Sequence, residues 1–235
     1  MRFPIIAAGA LLAAATSAQA SFTTVDLSSY VNGNVAINAA TYPTGLSMGN
    51  KGTNVPFFIA QYPAASGVEG TWLSDALPGD SVTVDLTGMN ISGQASFYAL
   101  LNNYYGTPGA DEYDVTITAT NNDSVTYQSI GGVDTRDYNS NVFTNTIANT
   151  TTEWFNNGIG QRFDVREFTL PASFATETIA SFTVTQVTDG DNALLSGLTF
   201  SDQPAQNFVP EPFSLSLFGA GLAGIAIRRR RRKAS

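Results

Sequence analysis

Through the middle of the chain, apolar residues recur at every second position. In SVTVDL, residues 81–86, Val82, Val84 and Leu86 alternate with Ser81, Thr83 and Asp85. In EYDVTITAT, residues 112–120, Tyr113, Val115, Ile117 and Ala119 fall on one face. A period of two belongs to a strand with one buried side. Asn121-Asn122-Asp123 supplies turn chemistry, and SVTYQSI, residues 124–130, returns, so the pair is predicted as a β-hairpin. TIASFTVTQVT (178–188) alternates with a slip at Phe182, and NALLSGLTF (192–200) follows the Asp189-Gly190-Asp191 turn. FTTVDL (22–27), PFFIA (56–60), ASFYALL (95–101) and RFDVREFTL (162–170) read as further strands. A parity break before Phe168 predicts a bulge near Glu167. The Thr-rich TNTIANTTTEW (144–154) reads as a β-prone polar loop. No stretch carries a helical stripe with caps.

About nine or ten short strands between Gly, Asn and Pro turns predict an all-β fold. The expected architecture is an antiparallel two-sheet β-sandwich over residues 21–200, with a jelly roll as the preferred topology. Residues 201–208, SDQPAQNF, form a short polar linker.

The two ends follow other rules. MRFPIIAAGALLAAATSAQA places Arg2 before an apolar run and ends on Ala18-Gln19-Ala20. That order predicts a signal peptide over 1–20, cleaved so that the mature chain starts at Ser21. At the other end, Val209-Pro210-Glu211-Pro212 precedes fifteen uncharged residues, 213–227, and then Arg228, Arg229, Arg230, Arg231, Arg232 and Lys233. As a helix, fifteen residues reach roughly 22 Å against a hydrocarbon core of ~30 Å. Snorkelling arginines and local thinning cover that mismatch, so a single transmembrane helix is expected. The cations would hold their end in the cytoplasm and leave the body outside.

This tripartite end resembles the PEP-CTERM sorting signal of Gram-negative bacteria. The resemblance covers about a tenth of the chain, residues 209–235. It implies an exosortase-type processing enzyme as partner and the inner membrane as a transient anchor. The body would face the periplasm until cleavage near Pro-Glu-Pro passes it to the cell surface or the medium. It also implies association with exopolysaccharide and biofilm. The body itself weakly resembles galactose-binding-like and carbohydrate-binding jelly rolls.

Charge and composition narrow the chemistry. Residues 21–208 hold four cations, Lys51, Arg136, Arg162 and Arg166, against eighteen acids, a net −14. Such a surface repels nucleic acid. The absence of Cys and His removes disulfides, Cys/His zinc sites and His-based acid–base catalysis.

The candidate site residues come from four stretches. LLNNYYGTPGADEYD (100–114) sets Tyr104 and Tyr105 beside a turn, and aromatic faces can stack on sugar C–H surfaces. GIGQRFDVREF (158–168) would direct Arg162, Asp164 and Arg166 to one polar stripe, either a sugar-recognising surface or a solvent-facing ladder. Asp134, Arg136 and Asp137 in VDTRDYN would pair with that stripe. No cofactor is expected apart from the option of one structural calcium, for which Asp111, Glu112, Asp189 and Asp191 are the candidate ligands. The expected function is an exported, non-enzymatic surface or matrix protein that binds carbohydrate. The alternatives are a carbohydrate-active enzyme on exopolysaccharide and a ligand-free coat domain.

Overall fold

A computed structural model describes residues 20–35, 42–139, 146–148 and 150–204 of the chain. The described residues form strands β1 Phe22–Val25, β2 Gly45–Met48, β3 Pro56–Ile59, β4 Trp72–Leu73, β5 Ser81–Asp85 and β6 Ser96–Tyr104. They continue with β7 Asp111–Ala119, β8 Ser124–Ile130, β9 Thr151–Asn156, β10 Arg162–Thr169, β11 Ile179–Gln186 and β12 Asn192–Ser201. Two short 3-10 turns, Thr87–Met89 and Ala172–Thr176, complete the list. The all-β expectation holds: two antiparallel sheets face each other, ordered β1-β12-β6-β10-β9 and β5-β11-β7-β8. β4 joins the first sheet on β12, and β2–β3 forms a separate hairpin.

The alternating residues build the core between the sheets. Val82 and Val84 of β5, Val115 and Ile117 of β7, and Phe182 and Val184 of β11 meet Phe97, Ala99 and Leu101 of β6. Phe97 stacks on Phe168 at 4.4 Å and 5°, and stands edge-on to Phe182 at 6.0 Å, so one ring joins both sheets. A second apolar layer covers the outer face of the first sheet. Tyr98 and Leu100 of β6, Phe163 and Val165 of β10 and Leu194 of β12 pack with Phe57 and Ile59 of β3 and with Trp154 of β9. β6 is therefore buried on both faces, which explains its unbroken SFYALL run.

The expected hairpin is β7–β8, with Asn122 at φ +71° and the Asp123 amide donating to Asn121 Oδ1 at 2.9 Å. The slip at Phe182 is a bulge between Ile179 and Ser181. The bulge expected near Glu167 is absent. β10 keeps continuous register with β6 from Val165 to Thr169, and its irregularity lies at Phe163/Asp164 against β9. Both faces of β10 are buried, so its apolar residues do not mark one parity. The last four residues of the Thr-rich stretch read as a loop, 151–154, belong to β9.

The expected signal peptide up to Gln19, the Pro-Glu-Pro motif, the expected transmembrane helix and the basic cluster lie outside the described residues. Among the described residues no helix is long and apolar enough to cross a membrane.

Candidate functional site

At one end of the first sheet, β6 and β10 part beyond the Leu100–Val165 pair. Asn102 fills the gap. Its Oδ1 accepts the Asp164 amide at 3.0 Å, and its Nδ2 donates to Asp164 Oδ2 at 2.8 Å. The segment 136–138 enters alongside. The Asn103 amide donates to the Arg136 carbonyl, the Tyr138 amide to the Asn103 carbonyl, and the Arg162 amide to the Tyr138 carbonyl. This wedge, itself one of the sequence stretches, joins two others, so three of the four meet here.

Arg136 is the hub beneath the wedge. Its Nε and Nη2 contact Asp164 Oδ2 and Oδ1 at 2.7 and 2.6 Å, and Nη2 reaches Glu153 Oε2 at 2.9 Å. Burial pulls the guanidinium down, yet Asp164 and Glu153 outweigh it and the net direction is up. Burial likewise raises the Asp164 carboxyl, against the pull of Arg136. Arg162 donates through Nε and Nη2 to the Asp137 carbonyl at 3.0 and 2.8 Å, and burial lowers it. Arg166 faces the other sheet. It donates to Ser129 Oγ and the Gln128 carbonyl, pairs with Asp134 at 3.5 Å and lies 4.6 Å from the Phe168 ring centre.

Arg162, Asp164 and Arg166 are therefore all buried, at 4, 0 and 7% exposure. The expected surface stripe is an internal network. The six-stranded sheet is covered on both sides here, so period two no longer separates solvent from core.

Tyr104 and Tyr105 cap this network. Their rings lie 3.8 Å apart at 43°, and Tyr138 from the wedge adds a third ring 5.3 Å from Tyr104. The Tyr105 phenol donates to the Tyr104 oxygen at 2.7 Å, and this bond is the main cause that raises Tyr104. Tyr105 is 41% exposed and sits at φ +69°, a region L-residues avoid. Its amide donates to Asp137 Oδ2 at 3.0 Å, which fixes that backbone. Asp137 is raised by burial and held back by the Asn139 and Tyr105 amides. Tyr138 and the wedge carried no signal in the periodicity, because their placement depends on the splayed strands.

The four calcium candidates do not converge. Asp111 accepts Gln128 Nε2 at 2.9 Å across the β7–β8 ladder, and Asp189 is exposed in the β11–β12 turn. Glu112 and Asp191 do meet. Glu112 is fully buried, and its Oε1 accepts the Thr107 amide at 2.6 Å. Burial first, and then the Asp191 carboxyl, push Glu112 up to about 9. Glu112 Oε2 and Asp191 Oδ2 are buried without a conventional donor, and the raised Glu112 carboxyl keeps its proton at neutral pH. Among the described residues no group of three or more acids gathers in a metal-holding arrangement.

Residues 208–232 match the PEP-CTERM protein-sorting motif. The tail is a PEP-CTERM sorting signal. It implies export, a C-terminal membrane anchor before processing, and processing by an exosortase. No curated protein matches the chain. Solved structures similar to it include Pseudomonas aeruginosa AlgX, at 13% identity over 57% of this chain and 26% of that one, TM-score 0.30. A family two carbohydrate esterase from Cellvibrio japonicus is 12% identical over 80% of this chain and 37% of its own, TM-score 0.29. Caldicellulosiruptor saccharolyticus CBM27-1, in complex with mannohexaose, is 10% identical over 79% and 99%, TM-score 0.35. The chain spans about a quarter of the length of the first and just over a third of the second.

Proposed function

We propose that this PEP-CTERM protein is a non-enzymatic, carbohydrate-binding component of the cell surface or extracellular matrix. Its signal peptide exports it, the tail helix holds it in the inner membrane with the body in the periplasm, and cleavage near Pro210-Glu211-Pro212 frees the body from that anchor. The body is read as a jelly roll. The supporting order is β1-β12-β6-β10 against β5-β11-β7-β8, in which successive strands repeatedly cross from sheet to sheet.

One observation carries the binding reading. Tyr105 is held in a left-handed backbone, half-exposed, with its ring against Tyr104 and Tyr138 behind. The ring pair returns about what the left-handed backbone costs, so packing alone gives no net reason to keep the strain, and such strain clusters at ligand sites. The platform offers ring faces for sugar C–H surfaces and phenol oxygens for hydroxyls.

The test is binding of the purified exported protein to exopolysaccharide from the producing organism, with calcium and with chelator. Saturable binding that Tyr105→Ala weakens at least tenfold is the expected result. Among the described residues, calcium would act at the Glu112–Asp191 pair, where it would replace the Glu112 proton. A higher melting temperature in calcium than in chelator, lost in Glu112→Gln, supports that ion. Release of soluble sugar during the assay would favour a carbohydrate-active enzyme instead, with the same carboxyl pair as the acids to substitute first.

A further inference from the structure

The body's charges are sorted between inside and outside. Of its eighteen acids, six are buried, Glu69, Glu112, Asp137, Asp164, Glu167 and Asp191, and twelve reach solvent. Three of its four cations point the other way. The Arg162 and Arg166 residues are buried, and the Arg136 side chain keeps 11% exposure. Their guanidinium groups donate to protein acceptors: Asp164 and Glu153, the Asp137 carbonyl, and Ser129 with Gln128. Lys51 alone is well exposed, at 42% of its side chain, and it pairs with Glu153 at 3.2 Å. The exterior is thus more acidic, relative to its cations, than the composition implies.

The aromatic end follows the same rule. Asp137 lies directly beneath the Tyr105 amide. Asp111 opens β7 just after the Tyr105 loop, and Asp189 lies in the turn leading to Asn192, the β12 partner of Tyr104. No described cation is exposed there to meet a carboxylate or a phosphate. A ligand anion would need to shed water with no charge-assisted donor in return, against a field of like sign within a Debye length of about 8 Å.

We infer that the Tyr104–Tyr105–Tyr138 end takes an uncharged polysaccharide, and that polymers bearing carboxylate, sulfate or phosphate groups are excluded. The inference rests on the carbohydrate-binding reading above and names the ligand class of that site. The buried arginine stripe, read from the sequence as a sugar-recognising surface, contributes no exposed donor to that ligand.

The test is calorimetric titration of the full exported chain with neutral glucomannan, neutral galactan and polygalacturonate, at 20 and 500 mM NaCl. Tyr105→Ala is run alongside, with Tyr105→Gly as the variant that keeps the left-handed backbone. The expected result is binding of at least one neutral polymer, insensitive to salt and weakened at least tenfold in both variants. Polygalacturonate should bind at least tenfold more weakly at 20 mM NaCl and gain, not lose, affinity with salt. Polygalacturonate binding equal to or tighter than that of the neutral polymers, and lost in the Tyr105 variants, overturns the charge inference and leaves the site in place. Binding to none of the three removes the binding site, and the inference with it.

Discussion

At Tyr105 the backbone conformation and the side chain pull in opposite directions. A left-handed non-glycine residue costs about 1–2 kcal/mol, while a ring pair of the Tyr104–Tyr105 kind returns about 0.5–1.5 kcal/mol. Tyr105→Gly removes both, so its stability should stay within about 1 kcal/mol of the native protein. Glycan binding should fall while denaturant melting barely moves, and loss of stability alongside loss of binding would make Tyr105 a structural residue. Asp164 behaves differently. It is fully buried and answers Arg136 through two oxygens. Asp164→Ala leaves that guanidinium without its main partner and should cost about 3–5 kcal/mol, read by urea denaturation. Glu112 gives the protein a pH dependence. Its carboxyl is raised above the unfolded value of 4.5 to about 9, so the neutral form is the one the fold prefers. Its contribution to stability is complete below about pH 4.5 and fades as pH rises toward 9. The melting temperature should therefore fall between pH 5 and 9, and Glu112→Gln should flatten that slope. An unchanged slope in the variant would place the titration elsewhere.

The elements show what periodicity can and cannot reveal. β5, β7, β8 and β11 were legible because they form the sheet with one wet face. There Thr83, Thr183, Thr116 and Thr126 line up in register on the polar side, with Thr83–Thr183 and Thr116–Thr126 hydroxyl contacts of 3.0 and 2.9 Å. In the other sheet both faces are covered, and β10 reads as a polar stripe although it is the most buried charged strand. β9 was hidden for a related reason. Trp154 is fully buried with its indole nitrogen on the Val55 carbonyl at 2.9 Å, but its Thr and Asn neighbours resemble a loop. β2 and β4, of four and two residues, are too short to show a period. Of the site, the tyrosine pair was visible in the sequence, whereas the 136–138 wedge needed the splayed strands. The residues after β2 also guard the β9 edge. Asn50 Nδ2 donates to the Asn156 carbonyl at 2.8 Å, and the Asn156 amide donates to Asn50 Oδ1 at 3.0 Å. This mimics a strand partner and blunts an edge that could pair with another chain. A Cβ on Gly49 would fall 2.1 Å from the Trp154 carbonyl oxygen, where backbone must move. Gly49→Ala should thus lower the melting temperature and free the β9 edge, seen as concentration-dependent association in sedimentation. A variant that melts and sediments like the native chain would show that this approach is not needed.

At the scale of the whole molecule, the body closes before the sorting signal begins. The buried apolar residues run from Val25 to Phe200, and the last ladder pair joins Ser201 to Phe22. Beyond it, the Ser21 amide donates to Asp202 Oδ1 at 2.9 Å, tying the first and last described segments together. Among the described residues, every buried apolar residue lies before Ser201. On the proposed reading the tail acts on location: its cations would oppose transfer across the membrane, and its apolar run would resist release. The two properties can be removed separately. Deleting 209–235 should send the body into the soluble exported fraction with an unchanged cooperative melt. Replacing Arg228 through Arg232 by Ala should leave the melt equally unchanged but weaken membrane retention of the unprocessed chain, because the apolar run alone falls short of the bilayer core. If the truncated protein melts early or aggregates, the sandwich depends on its tail and the boundary near residue 208 is misplaced. If the alanine variant fractionates with the membrane as firmly as the native chain, the basic cluster is read by the processing machinery and does not serve as an anchor.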